Sequence, residues 1–418
     1  MRKRLVLTTA VILLLTSGVA GAGLLPLSYK ASAPKANAKG SSSRGIKAVV
    51  SANNAFAFDL YSELRKSETE NMFYSPYSMS AALAMTYEGA RGKTAAEMKS
   101  VLHFPNSSVL RSNFAAIYNG INKASNSYKL KTGNALWVQK QFPLLEKYIK
   151  RVKSYYAARA SNLDFVHQTE RSRLTINRYI AAQTNNRIKN LIAKGYLDGD
   201  SRFVLTNAIY FKGAWRWEFD PRLTYQGDFR ITPEKIVKTP MMFMSSTEVA
   251  FNYANTKNLQ ILELPYKGNK VSMLVLLPHT DLDSIERSLT ASKVKQYRAK
   301  MKPTIMDSIM LPKFEFDSKY ELNSALSKMG MPTAFTDRAD FSGMTGRREL
   351  SLAFVLHQAY VKVDEKGTEA TGATAVGGGV TSVRITNDFH ANHPFLFLIQ
   401  EKKTGNILFL GRVVDPTS

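Results

Sequence analysis

The side chains that could do chemistry in this chain of 418 residues fail, pattern by pattern, the tests for an active site. Histidines stand at 103, 167, 279, 357, 390 and 393; no two are spaced as a ligand pair on one helix face, and none completes a zinc-binding pattern. His357 lies in the alternating run Phe354-Val-Leu-His-Gln-Ala-Tyr-Val-Lys-Val363, where a structural hydrogen bond is the expected role. Gly-x-Ser-x-Gly is absent, so no serine nucleophile is signalled. The lack of cysteine excludes thiol catalysis, disulfides, thiolate metal sites and a lipid-bearing N-terminal cysteine. Gly92-Lys93-Thr94 ends like a phosphate-binding loop, but the opening glycine would fall on Tyr87, and the segment follows a helix rather than a strand. A turn between helices accounts for Gly89 and Gly92. No enzyme activity, no cofactor and no metal are expected.

One segment remains, Asp364-Glu-Lys-Gly-Thr-Glu-Ala-Thr-Gly-Ala-Thr-Ala-Val-Gly-Gly-Gly-Val-Thr-Ser-Val-Arg384. Alternate positions from Thr368 read Thr368, Ala370, Gly372, Thr374, Val376 and Gly378, all compact and uncharged, while Glu369 falls on the other parity. That is the period of a strand with one face turned inward. Gly367, Gly372 and the run Gly377 to Gly379 argue against a strand already fixed in a sheet. The segment suits a loop that can become a strand.

The elements that must hold such a loop are short and numerous. A helical pattern runs from Ser51 through Leu64, and Ser78 to Tyr87 is apolar nearly all round, as in a helix buried behind a sheet. A short strand and turn are expected at Asn71 to Pro76. Further strands are expected at 130–138, 202–211, 259–265, 272–277, 308–316, 354–363, 394–400 and 407–413. Helices and strands do not alternate regularly, and turns such as Tyr266-Lys-Gly-Asn-Lys270 join neighbours, which favours an α+β domain with large, partly antiparallel sheets.

Hydrophobic residues, 44% of the chain, are spread in many short runs, enough for one large core without disulfides or metal. Arg2-Lys3-Arg4, the apolar Leu5 to Leu15 and the small residues Ser17 to Ala22 read as an export signal or membrane anchor over 1–22. A flexible basic linker over 23–48 and a single domain over 49–418 follow from composition. A secreted or cell-surface location, and a monomer, are expected. The net charge is +24, or +21 without Arg2, Lys3 and Arg4. It could attract a polyanion through Lys147-Tyr-Ile-Lys-Arg-Val-Lys153 and Arg171-Ser-Arg173, with a solvated helix face as the plainer reading. No zinc finger or base-stacking motif accompanies it, so no dedicated nucleic-acid binding is expected. Asn106-Ser-Ser108 fits a glycosylation acceptor in an exported chain.

From about Val50 to its end the chain resembles the serpin family of protease inhibitors. Asn71-Met-Phe-Tyr-Ser-Pro-Tyr-Ser-Met-Ser80 with Glu88-Gly-Ala-Arg-Gly-Lys-Thr94, and Leu205-Thr-Asn-Ala-Ile-Tyr-Phe-Lys-Gly-Ala-Trp215, are similar to family segments, as are Leu311-Pro-Lys-Phe-Glu-Phe316 and Gly330-Met331 with Ala339-Asp-Phe-Ser342. Asn392-His-Pro-Phe-Leu-Phe397 and Phe409-Leu-Gly-Arg412 complete the order. The resemblance implies a serpin fold of three mixed β-sheets and about nine helices, with an exposed reactive-centre loop at about 364–389. It also implies inhibition by suicide substrate, in which the cleaved loop inserts into the main sheet and drags an acylated serine protease with it. The hinge would be Gly367, Thr368, Glu369, Ala370, Thr371, Gly372, Ala373, Thr374 and Ala375. Ser75, Ser78, Asn207 and His357 match the polar cluster that controls sheet opening, and Trp215 the aromatic residue where insertion starts. Counting forward from Gly367 puts the reactive bond at Thr381-Ser382, and counting back from Pro394 puts it at Val383, with Val380 and Arg384 as neighbours. Thr381-Ser382 is favoured because a bond at Arg384 lengthens the tether by three residues. Cleavage after Val380, Thr381 or Val383 suits a subtilisin-like or elastase-like enzyme, and cleavage after Arg384 a trypsin-like one. A non-inhibitory binding protein for a partner or polyanion is the alternative.

Overall fold

A computed structural model describes residues 35–122, 127–245, 248–368 and 387–418. Its helices begin earlier than the apolar pattern suggests. α1 (Ser43–Leu64) starts where the Ser42 Oγ accepts the Gly45 amide, and Asn119 brackets Ala36 by accepting its N–H and donating to its carbonyl. The expected flexible linker over 23–48 is therefore corrected for its last part. Residues 36–48 pack on the domain because small residues with polar clamps can dock where composition alone suggests a tether.

After α1 the chain forms β1 (Met72–Tyr74), α2 (Pro76–Gly89), α3 (Gly92–Val101), α4 (Ser107–Ile121), β2 (Tyr128–Thr132), β3 (Ala135–Gln139), α5 (Glu146–Tyr156), β4 (Arg159–Leu163), α6 (Thr169–Gln183) and β5 (Phe203–Ala214). It continues through β6 (Tyr225–Arg230), β7 (Ile236–Met244), β8 (Ala250–Asn255), β9 (Leu259–Pro265), β10 (Val271–Pro278), α7 (Asp283–Glu286), α8 (Ala291–Lys300), β11 (Lys302–Ile305), β12 (Ser308–Pro312) and β13 (Phe314–Glu321). The remainder is α9 (Asn323–Met329), α10 (Ser342–Thr345), β14 (Leu352–Asp364), β15 (Gly367–Thr368), β16 (Asp388–His390), β17 (Phe395–Glu401) and β18 (Asn406–Val413).

Three sheets result. The main one runs β13-β14-β15-β5-β3-β4 with β2 also on β5; a second runs β1-β18-β17-β10-β9-β8-β11, and a third β16-β12-β7-β6. Thirteen of the fourteen residues of α2 are buried, as its all-round apolar sequence predicts, and they lie behind the main sheet against β18 and β5. On the opposite face Ile176 and Ile180 of α6 pack with Trp137, Val204, Ala208 and Phe354. β5 is consequently buried on both sides along most of its length.

Two single strands expected from sequence are divided. Residues 130–138 break at Gly133 and Asn134, where Asn134 turns inward to polar partners. Residues 308–316 break at Lys313: β12 pairs with β7 in the third sheet, whereas β13 pairs with β14 at the edge of the main sheet. Strands β4, β6 and β11 carry too many polar residues for the apolar pattern to reveal them, whereas β7 and β8 are largely apolar and were missed all the same.

Candidate functional site

The main sheet has two polar constellations, one beneath its centre and one at its upper edge. Beneath the centre, Ser75 caps α2: its Oγ accepts the Ser78 amide at 3.1 Å and donates to the Leu408 carbonyl at 2.6 Å. The Ser75 amide donates to His357 Nε2 at 3.1 Å. Nδ1 therefore carries the imidazole proton and donates it to Asn207 Oδ1. Asn207 in turn donates to Ser78 Oγ at 2.6 Å and to Asn134 Oδ1, which also accepts from Ser78 Oγ at 2.9 Å.

His357 and Asn207 are register partners across the parallel pair β14–β5. The network thus ties α2 and the broken β2–β3 strand to both β14 and β5. Ser75, Ser78, Asn207 and His357 are fully buried. Burial pushes the His357 imidazole down to about 3, so it is neutral at physiological pH, and Tyr320 stacks parallel to it. The sequence reading brought together Ser75, Ser78, Asn207 and His357 but missed Asn134. Its signal was the Gly133-Asn134 pair inside the expected strand 130–138.

At the upper edge β14 and β5 diverge, and β15 lies between them. Gly367 and Thr368 pair antiparallel with Ala214 and Gly213 on one side and with Asp364 and Val363 on the other. Gly367 has φ +147°, and a Cβ there would lie 2.1 Å from the Gly213 carbonyl oxygen, so only glycine fits. Thr368 is buried, and its Oγ1 is 2.7 Å from the Tyr266 hydroxyl. Tyr266 stacks on Trp215 at 4.6 Å between ring centroids.

Trp215 grips the chain ahead of β15: its Nε1 donates to the Asp364 carbonyl at 3.0 Å and its amide to the Lys366 carbonyl at 2.8 Å. Glu365 is buried and accepts from Lys313 and Thr224. Burial pushes its carboxyl up, but hydrogen bonds from its own backbone, Lys313 and Thr224 prevail and hold it below the usual carboxylate range. Tyr266, Glu365 and Lys313 were not singled out by sequence. Tyr266 looks like one more aromatic residue at a hairpin, and the Lys313–Glu365 contact joins positions 52 apart.

Glu369, Ala370, Thr371, Gly372, Ala373, Thr374 and Ala375 of the expected hinge, and Val380, Thr381, Ser382, Val383 and Arg384 of the expected reactive bond, lie outside the described residues. Of the basic contact points, Lys147 and Lys153 are exposed on α5. Arg173 is not available to a partner. It is buried, pairs with Glu170 and donates to the Ile192 carbonyl, because α6 needs a cation to close the turn at 190–192. Arg151 likewise faces the buried Glu88.

A family model described as Serpin (serine protease inhibitor) matches residues 51–416. The chain is 40% identical to an uncharacterised serpin-like protein of Methanosarcina acetivorans over 88% of each chain. It is 37% identical to the human leukocyte elastase inhibitor, over 88% of this chain and 99% of that one. Among solved structures, human thyroxine-binding globulin complexed with its hormone superposes with a TM-score of 0.80 at 30% identity, covering 90% of this chain and all of that one.

Proposed function

From the premise that this chain belongs to the serpin family, we propose that it is an exported suicide inhibitor of serine proteases, carried past the membrane by residues 1–22. Serpins are generally protease inhibitors rather than enzymes. The observation that carries the reading is the register of β15. Gly367 and Thr368 already stand between β14 and β5, and the residues that follow have small uncharged side chains on the inward parity.

In the proposed reaction the protease serine attacks the Thr381 carbonyl, the Thr381–Ser382 bond breaks with release of the Ser382 amine, and an acyl ester forms. The hinge then continues β15 down the sheet. About fifteen residues at roughly 3.3 Å each carry the ester about 50 Å. The direct β14–β5 ladder is exchanged for two antiparallel ladders, and a dozen bonds at about 0.5 to 1.5 kcal/mol amount to on the order of 10 kcal/mol. Loss of one oxyanion donor alone costs a protease about 2.7 to 4 kcal/mol, so that drive can stall deacylation. A modest apolar or small side chain at the bond favours a subtilisin-like or elastase-like target over a trypsin-like one.

The test is to mix protein lacking residues 1–22 with one protease of each type. A covalent complex that survives denaturation, with a released C-terminal fragment whose mass places the cut between Val380 and Arg384, is the expected result. Cleavage with full release of active protease by all three would overturn the reading. A second reading, a binding protein for a polyanion, draws on exposed Lys147 and Lys153. A sulfated polysaccharide that leaves the inhibition rate unchanged would reduce that charge to a solvated face.

A further inference from the structure

The third sheet turns one face to the core and leaves the other open. Phe389 of β16, Ile309 and Leu311 of β12, Met242 of β7 and Phe229 of β6 belong to the main core. Met310 is the register partner of Phe243 on one side and of His390 on the other, so by strand alternation these three share the outer face. Tyr225 joins them, because its partner on β7 is Met241, two positions from Phe243. Its hydroxyl donates to Met310 Sδ at 3.2 Å, which lays the ring across the face from β6 toward β12.

Exposed apolar side chains gather here. Tyr225 is 47% exposed and Leu223, in the turn just before it, 41%. Phe243 and Met310 are half-buried. The neighbouring charges already have partners: Arg222 donates to Asp220 at 2.9 Å, and the Ser308 hydroxyl donates to the Asp388 carboxylate while accepting from His390 Nε2 at 2.6 Å. Grouped aromatic and Met side chains with paired charge at the rim suit contact with an apolar partner.

The face also links the two places where the described chain stops and resumes around residues 369–386. At one end Thr224, between Leu223 and Tyr225, donates to the Glu365 carboxylate, three residues before Thr368. At the other, Asn387 leads directly into β16. The bond proposed for cleavage, Thr381–Ser382, ends five residues before Asn387, so chain length alone keeps it within about 18 Å of that residue. A protease of about 230 residues has a radius of gyration near 17 Å and is roughly 40 Å across. The face is three strand spacings wide, about 14 Å. An enzyme seated on the bond therefore reaches over it.

We propose that the outer face of the third sheet, centred on Tyr225, Phe243 and Met310 with Leu223 at its rim, is a second docking surface for the protease that engages the loop. It takes an apolar side chain beside that enzyme's active-site cleft. The inference rests on the inhibitor reading above and adds the contact that decides which protease is captured fastest. Tyr225 supplies the rigid anchor, and Met310 adapts its shape to what lies against it. Because the contact is apolar, its contribution persists in high salt. It acts on encounter and acylation, before any strand is inserted, so it alters the rate of capture and leaves the division between trapping and release alone.

The test uses the chain without residues 1–22, as parent and as Tyr225→Ala and Leu223→Ser, with each protease that forms a covalent complex with the parent. Second-order rates of complex formation are measured at low and high salt, beside the rate at which the same enzyme cuts a free peptide of residues 376–388, which has the loop but not the face. Each variant should be captured about three- to tenfold more slowly by at least one such protease, equally at both salt concentrations. The ratio of trapped to released enzyme and the thermal midpoint of the intact protein should stay at the parent values, and the parent's advantage over the peptide should shrink in the variants. Unchanged rates in both variants with every trapped protease would overturn the docking surface while leaving inhibition standing. Faster capture of the variants would mark the face as a seat for the loop itself and overturn the proposal too. No covalent complex between the parent and any protease would overturn the inhibitor reading and the docking surface with it. If Tyr225→Ala lowers the intact midpoint, Leu223→Ser, a change in an exposed turn, decides alone.

Discussion

Thr368 and His357 show what single side chains do here. Thr368 is 2% exposed and already hydrogen-bonded to Tyr266, so Thr368→Arg forces a guanidinium either into the core or out of the sheet. The variant should be cut by the same protease at a similar rate yet trap at least about tenfold less of it, since a buried unpaired charge costs several kcal/mol. Counting trapped and released enzyme on a denaturing gel decides this. His357 supports a pH prediction. Its folded affinity for a proton, about 3, lies below the unfolded value of about 6.5, so the unfolded chain binds more protons between them. The stability held by the neutral imidazole is full above about pH 6.5 and is lost as pH falls toward 3. Urea midpoints of the parent should therefore drop between pH 7 and 4.5 more steeply than those of His357→Gln, which should be less stable at pH 7 and flatter with pH.

Among the elements, β15 is two residues long and depends on one glycine. Gly367→Ala would drive a methyl group onto the Gly213 carbonyl oxygen, and its φ of +147° is poorly tolerated by alanine. The expected outcome is that β15 leaves the sheet. Amide exchange at 367 and 368 should accelerate at least about tenfold, with β9 and β10 unchanged, as hydrogen exchange with mass analysis would reveal. Strands with dense apolar runs were legible from sequence: 259–265 is observed with the expected bounds, and 272–277 gains one residue at each end. Gly133-Asn134 and Lys313 were not read as breaks. Each interrupts a run whose flanks both suit a strand, and only the partners of Asn134 and the separate sheets of β12 and β13 reveal the division.

For the whole molecule the proposed function predicts metastability. If insertion stabilises by on the order of 10 kcal/mol, and a domain of this size unfolds with an entropy of about 0.8 kcal/mol/K, loop cleavage should raise the thermal midpoint by about 12 °C. Circular dichroism melts of intact and loop-cut protein would show it, and an unchanged midpoint would contradict the reading. Such a gain requires that β14 and β5 part along residues 352–359 and 203–209, where they now pair directly. The network around His357 holds that line, and its hydrogen bonds must be remade as the new strand arrives.

By itself the sequence determined the family, through several segments in a shared order, and the buried helix α2 and the candidate members of the polar cluster, because burial is written in residue type and spacing. Tertiary structure alone decided that Gly367 and Thr368 stand between β14 and β5, and that Tyr266, Lys313 and Thr224 secure that turn through Thr368 and Glu365. Beyond the local β14–β15 turn, these features depend on partners about fifty to one hundred and fifty residues away in sequence. Register follows from the packing of the whole core, which no local stretch of sequence encodes.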